Sequence, residues 1–142
     1  MAPIPEWRAA LLVRPDLSPI EPPLIHEACQ AELDALLKEK TAQIIFKAQT
    51  SKRLKLFYDH PKDFFCFGEF FERIGKVSDG KTEFLYYSLR YNRLKKLGNL
   101  RILFVVFKGK PFMIHAFLEQ QGSSYNKAKE VLRTRLKEGR PE

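Results

Sequence analysis

The chain lacks most of the features that make a function easy to read. No apolar run approaches the ~18 residues that a membrane crossing needs. The start, MAPIPEWRAALLVRP, has neither the basic opening nor the clean apolar block of a signal peptide, so a cytosolic protein is expected. Cysteine is scarce: Cys29 and Cys66 are the only two, with no CxxC spacing and no Cys/His cluster beside either. A metal site is therefore not expected, and both read as buried thiols in a reducing compartment rather than as a disulfide. There is no Gly-rich phosphate loop, no metal-ligand pair, no GxSxG and no Cys/His dyad of useful spacing. Their absence excludes no activity but removes the enzymes easiest to recognise, and no cofactor is expected.

What is present is a folding chain with an uneven charge. At 142 residues, 44% hydrophobic with 12 Phe, it has apolar material for one core and is too rich in it for disorder. Residues 1–80 carry 11 Lys and Arg against 12 Asp and Glu, whereas residues 81–142 carry 14 against 5. The positive excess thus lies wholly in the C-terminal part. A basic balance confined to one part favours a polyanion, nucleic acid or an acidic partner, because each neutralised phosphate releases counterions. Solubility alone is the plainer alternative.

The stretch RILFVVFKGKPFMIHAFL, residues 101–118, organises the rest. Two β-branched and aromatic runs flank Lys108-Gly109-Lys110-Pro111, which predicts a β-hairpin. Both runs are almost wholly apolar, so the hairpin belongs in the middle of a sheet with both faces covered. Arg101, Lys108 and His115 are the polar interruptions, and a polar group inside a buried hairpin needs a partner or a cleft.

Six of the nine prolines fall in residues 1–23, which predicts an N-terminal arm without regular structure and leaves residues 24–142 as a single domain. The spacing of Ile25, Cys29, Leu33, Leu36 and Leu37 predicts a helix over 23–39, with Glu27, Glu32 and Asp34 on its polar side. His26 reads as a boundary residue. Residues 41–49 suit strand or helix, with helix favoured. Alternation of Leu54, Leu56 and Tyr58 predicts a strand over 53–58. Phe64, Phe67, Phe70 and Ile74 recur at helical spacing and predict a helix over 61–75, followed by a turn at 76–81. A strand over 82–92 and a last helix from Tyr125 to Lys137 complete the order. On that helix Lys129, Arg133 and Lys137 form one row, the usual look of a solvated face. The pattern predicts an α+β two-layer sandwich with a small, mostly antiparallel sheet.

The chemistry then rests on cationic and phenolic side chains on and beside the sheet: Tyr86, Tyr87, Arg90, Arg93, Lys95, Lys96, Arg101, Lys108, Lys110 and His115. Such a set binds RNA by phosphate contacts and stacking. It can also cut RNA, if one group takes the 2′-hydroxyl proton, a cation stabilises the phosphate, and an acid protonates the leaving 5′-oxygen. The structural alternative makes Arg90 and Arg101 cross-strand residues paired to Glu83 or Glu119.

The order Leu89-Arg90, a basic linker, Asn99-Leu100-Arg101-Ile102-Leu103-Phe104, a short turn, Ile114-His115-Ala116-Phe117 and a helix with Ala128-Lys129 resembles the C-terminal half of the RelE/ParE toxin superfamily. It is most similar to the phage-derived, HigB-like branch, and the likeness covers residues 82–137. The resemblance implies the toxin of a type II toxin-antitoxin system: a metal-independent mRNA endoribonuclease acting at the ribosome and inhibited by a cognate antitoxin protein. It implies Arg90 and Arg101 as phosphate-binding catalytic residues, with His115 and Tyr87 as proton-transfer candidates. Arg93, Lys95, Lys96, Lys108 and Lys110 are then expected to bind RNA. Two other readings stay open: a non-catalytic member that binds a protein target, as the gyrase-directed ParE side does, and a phage RNA-binding module that never cuts. The chain departs from the branch at Glu119-Gln120-Gln121, where paired lysines follow the HAF motif, and in its opening, since the family begins with a strand and two helices. Self-association is left open, and no membrane partner is expected.

Overall fold

The hairpin that dominates the sequence is also the centre of the fold. In the computed structural model, which describes residues 23–92, 94, 97–119 and 124–139, its two arms form adjacent central strands. In chain order the elements are β1 Leu24–Ile25, α1 Glu27–Leu36, α2 Lys40–Asp59, a 3-10 turn Phe64–Cys66, β2 Phe71–Ser78, β3 Glu83–Tyr91, β4 Leu100–Phe107, β5 Lys110–Leu118 and α3 Ser124–Glu138. They build one five-stranded mixed sheet in the order β1-β5-β4-β3-β2, an antiparallel meander with β1 added parallel to β5. The α+β architecture is the expected one. The expected arm over 1–23 lies, except for Pro23, outside the described residues.

Alternation along β4 sorts the core into two parts. Leu100, Ile102 and Phe104 pack with Cys29, Leu33, Phe46, Leu54, Phe57 and Phe64 beneath α1 and α2. Leu103 and Val105 face the other way, against Ala128, Leu132 and Leu136 of α3. Because both faces of β4 are covered, its sequence runs apolar without alternating polar residues. At the hairpin tip Lys108 and Gly109 both have positive φ, 54° and 76°. That is the two-residue type I′ turn whose twist suits flanking strands, so β5 starts at Lys110, earlier than the expected four-residue loop allows.

Four expectations are corrected. The strand predicted over 53–58 is the second half of α2, because Ala42, Phe46, Thr50, Arg53, Leu54 and Phe57 are buried at helical spacing. Arg53 is sandwiched between the rings of Phe70 and Tyr91, at 4.6 and 4.5 Å, and its Nε donates to the Arg90 carbonyl at 3.0 Å. The helix predicted over 61–75 is the 3-10 turn followed by β2, which ladders with β3 from Phe71↔Leu89 to Ser78↔Glu83. Its phenylalanines are core residues as expected, but through tertiary ring packing: Phe64 lies 5.2 Å from Phe71 and 4.8 Å from Tyr87. The helix predicted over 23–39 begins only at Glu27, because Leu24 and Ile25 pair with Phe112 and Met113. His26 closes that junction, its amide donating to the Met113 carbonyl at 2.9 Å and its Nδ1 accepting from the Ala28 amide at 3.1 Å. Cys29 is buried as expected; Cys66 is instead exposed, and both are free thiols.

No helix among the described residues is long and apolar enough to cross a membrane.

Candidate nucleic-acid interface

β3 and β4 are in antiparallel register with Arg90 directly opposite Arg101. Like charges facing each other across a ladder repel, so the surroundings of each guanidinium decide what the pair can do. Arg101 is 2% exposed. Its Nη2 lies 2.7 Å from Glu119 Oε2, and its Nη1 donates to the carbonyls of Leu100 at 3.1 Å and Tyr91 at 3.3 Å. Glu119 is placed by its own amide, which donates to the Asn99 carbonyl at 2.9 Å just beyond the end of β5. Glu119, one of the two partners weighed for these arginines, is thus the one that neutralises Arg101. Glu83, the other partner weighed for these arginines, faces Lys76 instead at 3.7 Å.

Arg90 is half-buried and has no carboxylate among the described residues. Its Nη1 donates to the Gly68 carbonyl at 3.1 Å, and its Nε, like that of Arg101, is buried without a hydrogen-bond partner among the described residues. A guanidinium without a counterion among the described residues, beside a neutralised one, suits an incoming phosphate oxygen.

On the same sheet face, Ser88 is fully buried and its Oγ lies 3.2 Å from the Tyr125 hydroxyl at the start of α3. Tyr125 meets Phe117 edge-on at 5.6 Å, and Phe117 stacks on His115 at 5.1 Å. Burial raises the Tyr125 pKa above the usual phenol value; the Ser88 hydrogen bond and Arg101 act against that, while Glu119 and Glu72 reinforce it. The group therefore stays a phenol at neutral pH and is suited to give a proton rather than take one.

The other expected residues are dispersed. Tyr87 lies on the opposite face, packed on Phe64 and Phe104, and burial raises its pKa as well. His115 is 13% exposed, with Nδ1 held 2.9 Å from Glu32. Lys108 sits exposed in the hairpin turn with its ammonium 5.3 Å from the Phe107 ring, and Lys110 follows at the head of β5. Both are at the far end of β4 from Arg101, roughly 23 Å along the strand. Arg93, Lys95 and Lys96 lie outside the described residues.

Glu32 ties together elements that sequence reasoning kept apart. It accepts from Arg135 Nη1 at 2.7 Å, from Arg135 Nη2 at 3.1 Å and from the Ala116 amide at 3.1 Å, besides its contact with His115. Arg135 also donates to the Ile114 carbonyl at 2.8 Å. β1 pairs with only Phe112 and Met113, so these two side chains satisfy the β5 edge where β1 stops. Burial works to raise the Glu32 pKa, but the hydrogen bonds from His115, Arg135 and Ala116 prevail and hold it at about 2. Glu32, Arg135, Ser88 and Tyr125 are the site neighbours not singled out from sequence. Glu32 read as a solvated helix residue and Tyr125 as packing, and only the register β5 adopts reveals otherwise.

No group of three or more His, Cys, Asp or Glu side chains among the described residues is arranged to hold a metal ion. Comparison with protein-family models, with curated proteins and with solved structures found no match.

Proposed function

We propose that the chain is a RelE/ParE-like toxin, acting in the cytosol on mRNA at the ribosome as a metal-independent endoribonuclease and held in check by a cognate antitoxin. The observation that carries this reading is the unequal arginine pair, with Arg101 neutralised by Glu119 and Arg90 opposite it without a carboxylate partner among the described residues. The opening of β1, α1 and α2 ahead of the meander adds support, since a strand and two helices are what the resemblance implies there.

In this reading Arg90 binds a non-bridging oxygen of the scissile phosphate and stabilises the charge that develops on it. Glu119 accepts the 2′-hydroxyl proton as the 2′-oxygen attacks phosphorus, and Tyr125 gives its phenolic proton to the departing 5′-oxygen. The P–O2′ bond forms as the P–O5′ bond breaks, leaving a 2′,3′-cyclic phosphate and a 5′-hydroxyl. Tyr87 and His115 give up the proton-transfer roles, one facing the core under α1 and α2 and the other bound to Glu32.

One observation favours a second reading, an RNA-binding protein that does not cut. Glu119 already fills the anion position at Arg101. Expression without any partner separates the two. Growth arrest with mRNA cut inside translated regions, lost in Arg90→Ala, is the expected result. Bound but intact RNA establishes the second reading, and arrest accompanied by DNA damage overturns both.

A further inference from the structure

At the end of α3 remote from Tyr125, the helix and the β2–β3 hairpin enclose a cleft of about 310 Å³, lined among others by Lys76, Ser78, Gly80, Glu83, Arg133 and Lys137. Three cations there face one carboxylate. The pairs that engage them are loose and exposed: Lys76 Nζ to Glu83 Oε1 is 3.7 Å, and Arg133 Nη1 to Glu130 Oε1 is 3.4 Å. Exposed pairs of this kind contribute little and yield their cations to a stronger anion.

The wall opposite the helix is a formed turn. Asp79 Oδ1 accepts from the amides of Lys81 at 2.8 Å and Thr82 at 2.7 Å, and the Gly80 amide donates to Ser78 Oγ at 3.0 Å. Gly80 takes φ +97°, and a Cβ there would meet no atom within 4 Å, so the turn leaves open space above it. On the helix side, Arg133 and Lys137 continue the row begun by Lys129, which spans about 12 Å at 1.5 Å per residue. Among the described residues no aromatic side chain lines the cleft, so these walls offer a base nothing to stack on. Cations without a stacking platform select the phosphates of a chain and ignore its bases.

We infer that this cleft anchors the phosphodiester backbone of single-stranded RNA independently of sequence, the row Lys129, Arg133 and Lys137 carrying the strand along α3. The inference rests on RNA being the ligand, and adds a contact about 18 Å along the helix from Tyr125.

The test uses the full chain and 2′-O-methyl RNA, which offers no 2′-hydroxyl to be cut, in oligo-U and mixed-sequence forms. Affinity is measured over a range of salt for the wild type, for Lys76→Gln/Arg133→Gln/Lys137→Gln, and for the charge-preserving Lys76→Arg/Arg133→Lys/Lys137→Arg. The neutral variant is expected to flatten the plot of log affinity against log salt by up to ~2, at ~0.7 per lost contact. Both RNAs should respond alike, the charge-preserving variant should keep the wild-type slope, and all three proteins should melt together. A wild-type slope in the neutral variant overturns the cleft assignment and leaves the function standing. Loss of polyglutamate binding with an unchanged RNA slope also overturns it, in favour of an acidic protein segment. A wild type that binds no RNA overturns both.

Discussion

Glu119 holds Arg101 at 2.7 Å, directly across the ladder from Arg90, which has no carboxylate partner among the described residues. The site therefore carries an anion of its own, and any phosphate that reaches it competes with that carboxylate for Arg101, whereas no described carboxylate competes for Arg90. This internal competition is open to measurement, because Glu119 is 34% exposed against 3% for the guanidinium it neutralises, so replacing the carboxylate should disturb packing less.

Glu119→Gln keeps a hydrogen-bonding group beside Arg101 and removes the charge. Leaving a buried guanidinium without its counterion should cost about 1–2 kcal/mol, less than for a fully buried pair. Urea unfolding reads that cost. Affinity for 2′-O-methyl RNA should rise about fivefold, the equivalent of about 1 kcal/mol, while cutting of ordinary RNA should fall. Unchanged affinity would mean that Glu119 does not compete with phosphate.

The Glu32 clamp predicts an acid-labile sheet edge. A carboxyl held at about 2 in the folded protein, against 4.5 as its ordinary value, contributes stability that is complete above the unfolded value and is lost as pH falls toward 2. The shift corresponds to roughly 3 kcal/mol at 1.36 per unit, and partial solvent access lowers that to ~2 kcal/mol. Glu32→Gln should therefore destabilise the protein at neutral pH and flatten the decline between about pH 5 and pH 2. Urea midpoints across that range check it; parallel acid limbs for both proteins would assign the decline to other carboxylates.

The legible parts of the fold were those decided by local pattern. The hairpin combines two apolar runs with a turn signal, β3 and α3 each combine a clear period with a turn or end signal, and each forms within a few residues of its expected bounds. Phe64 to Phe71 misled because a helical spacing of aromatics serves equally well for a turn that feeds several rings into one cluster around Phe104. β1 escaped because it is two residues long and exists only where β5 offers an edge. Glu32 and Arg135 stand 103 residues apart, and no local signal joins them. Arg101 was legible as an anomaly in an apolar strand. Its partner Glu119 was legible as an alternative, and the register then supplied the unequal pairing with Arg90.

Tyr125 separates chemistry from packing. Its hydroxyl and Ser88 Oγ satisfy each other at 3.2 Å, and Ser88 is fully buried. Tyr125→Phe leaves the Ser88 hydroxyl without a partner and should cost ~1–2 kcal/mol. Ser88→Ala should cost less, because the half-buried phenol can turn to water. Removing both groups takes away the orphaned donor together with its acceptor, so the double variant should be more stable than Tyr125→Phe alone. Catalysis should follow a different order. If the phenol gives its proton to the leaving oxygen, Tyr125→Phe and the double variant should both cut RNA ~100-fold or more slowly. Ser88→Ala should then stay near the wild-type rate. A double variant that recovers cutting together with stability would assign Tyr125 to packing against Phe117 alone.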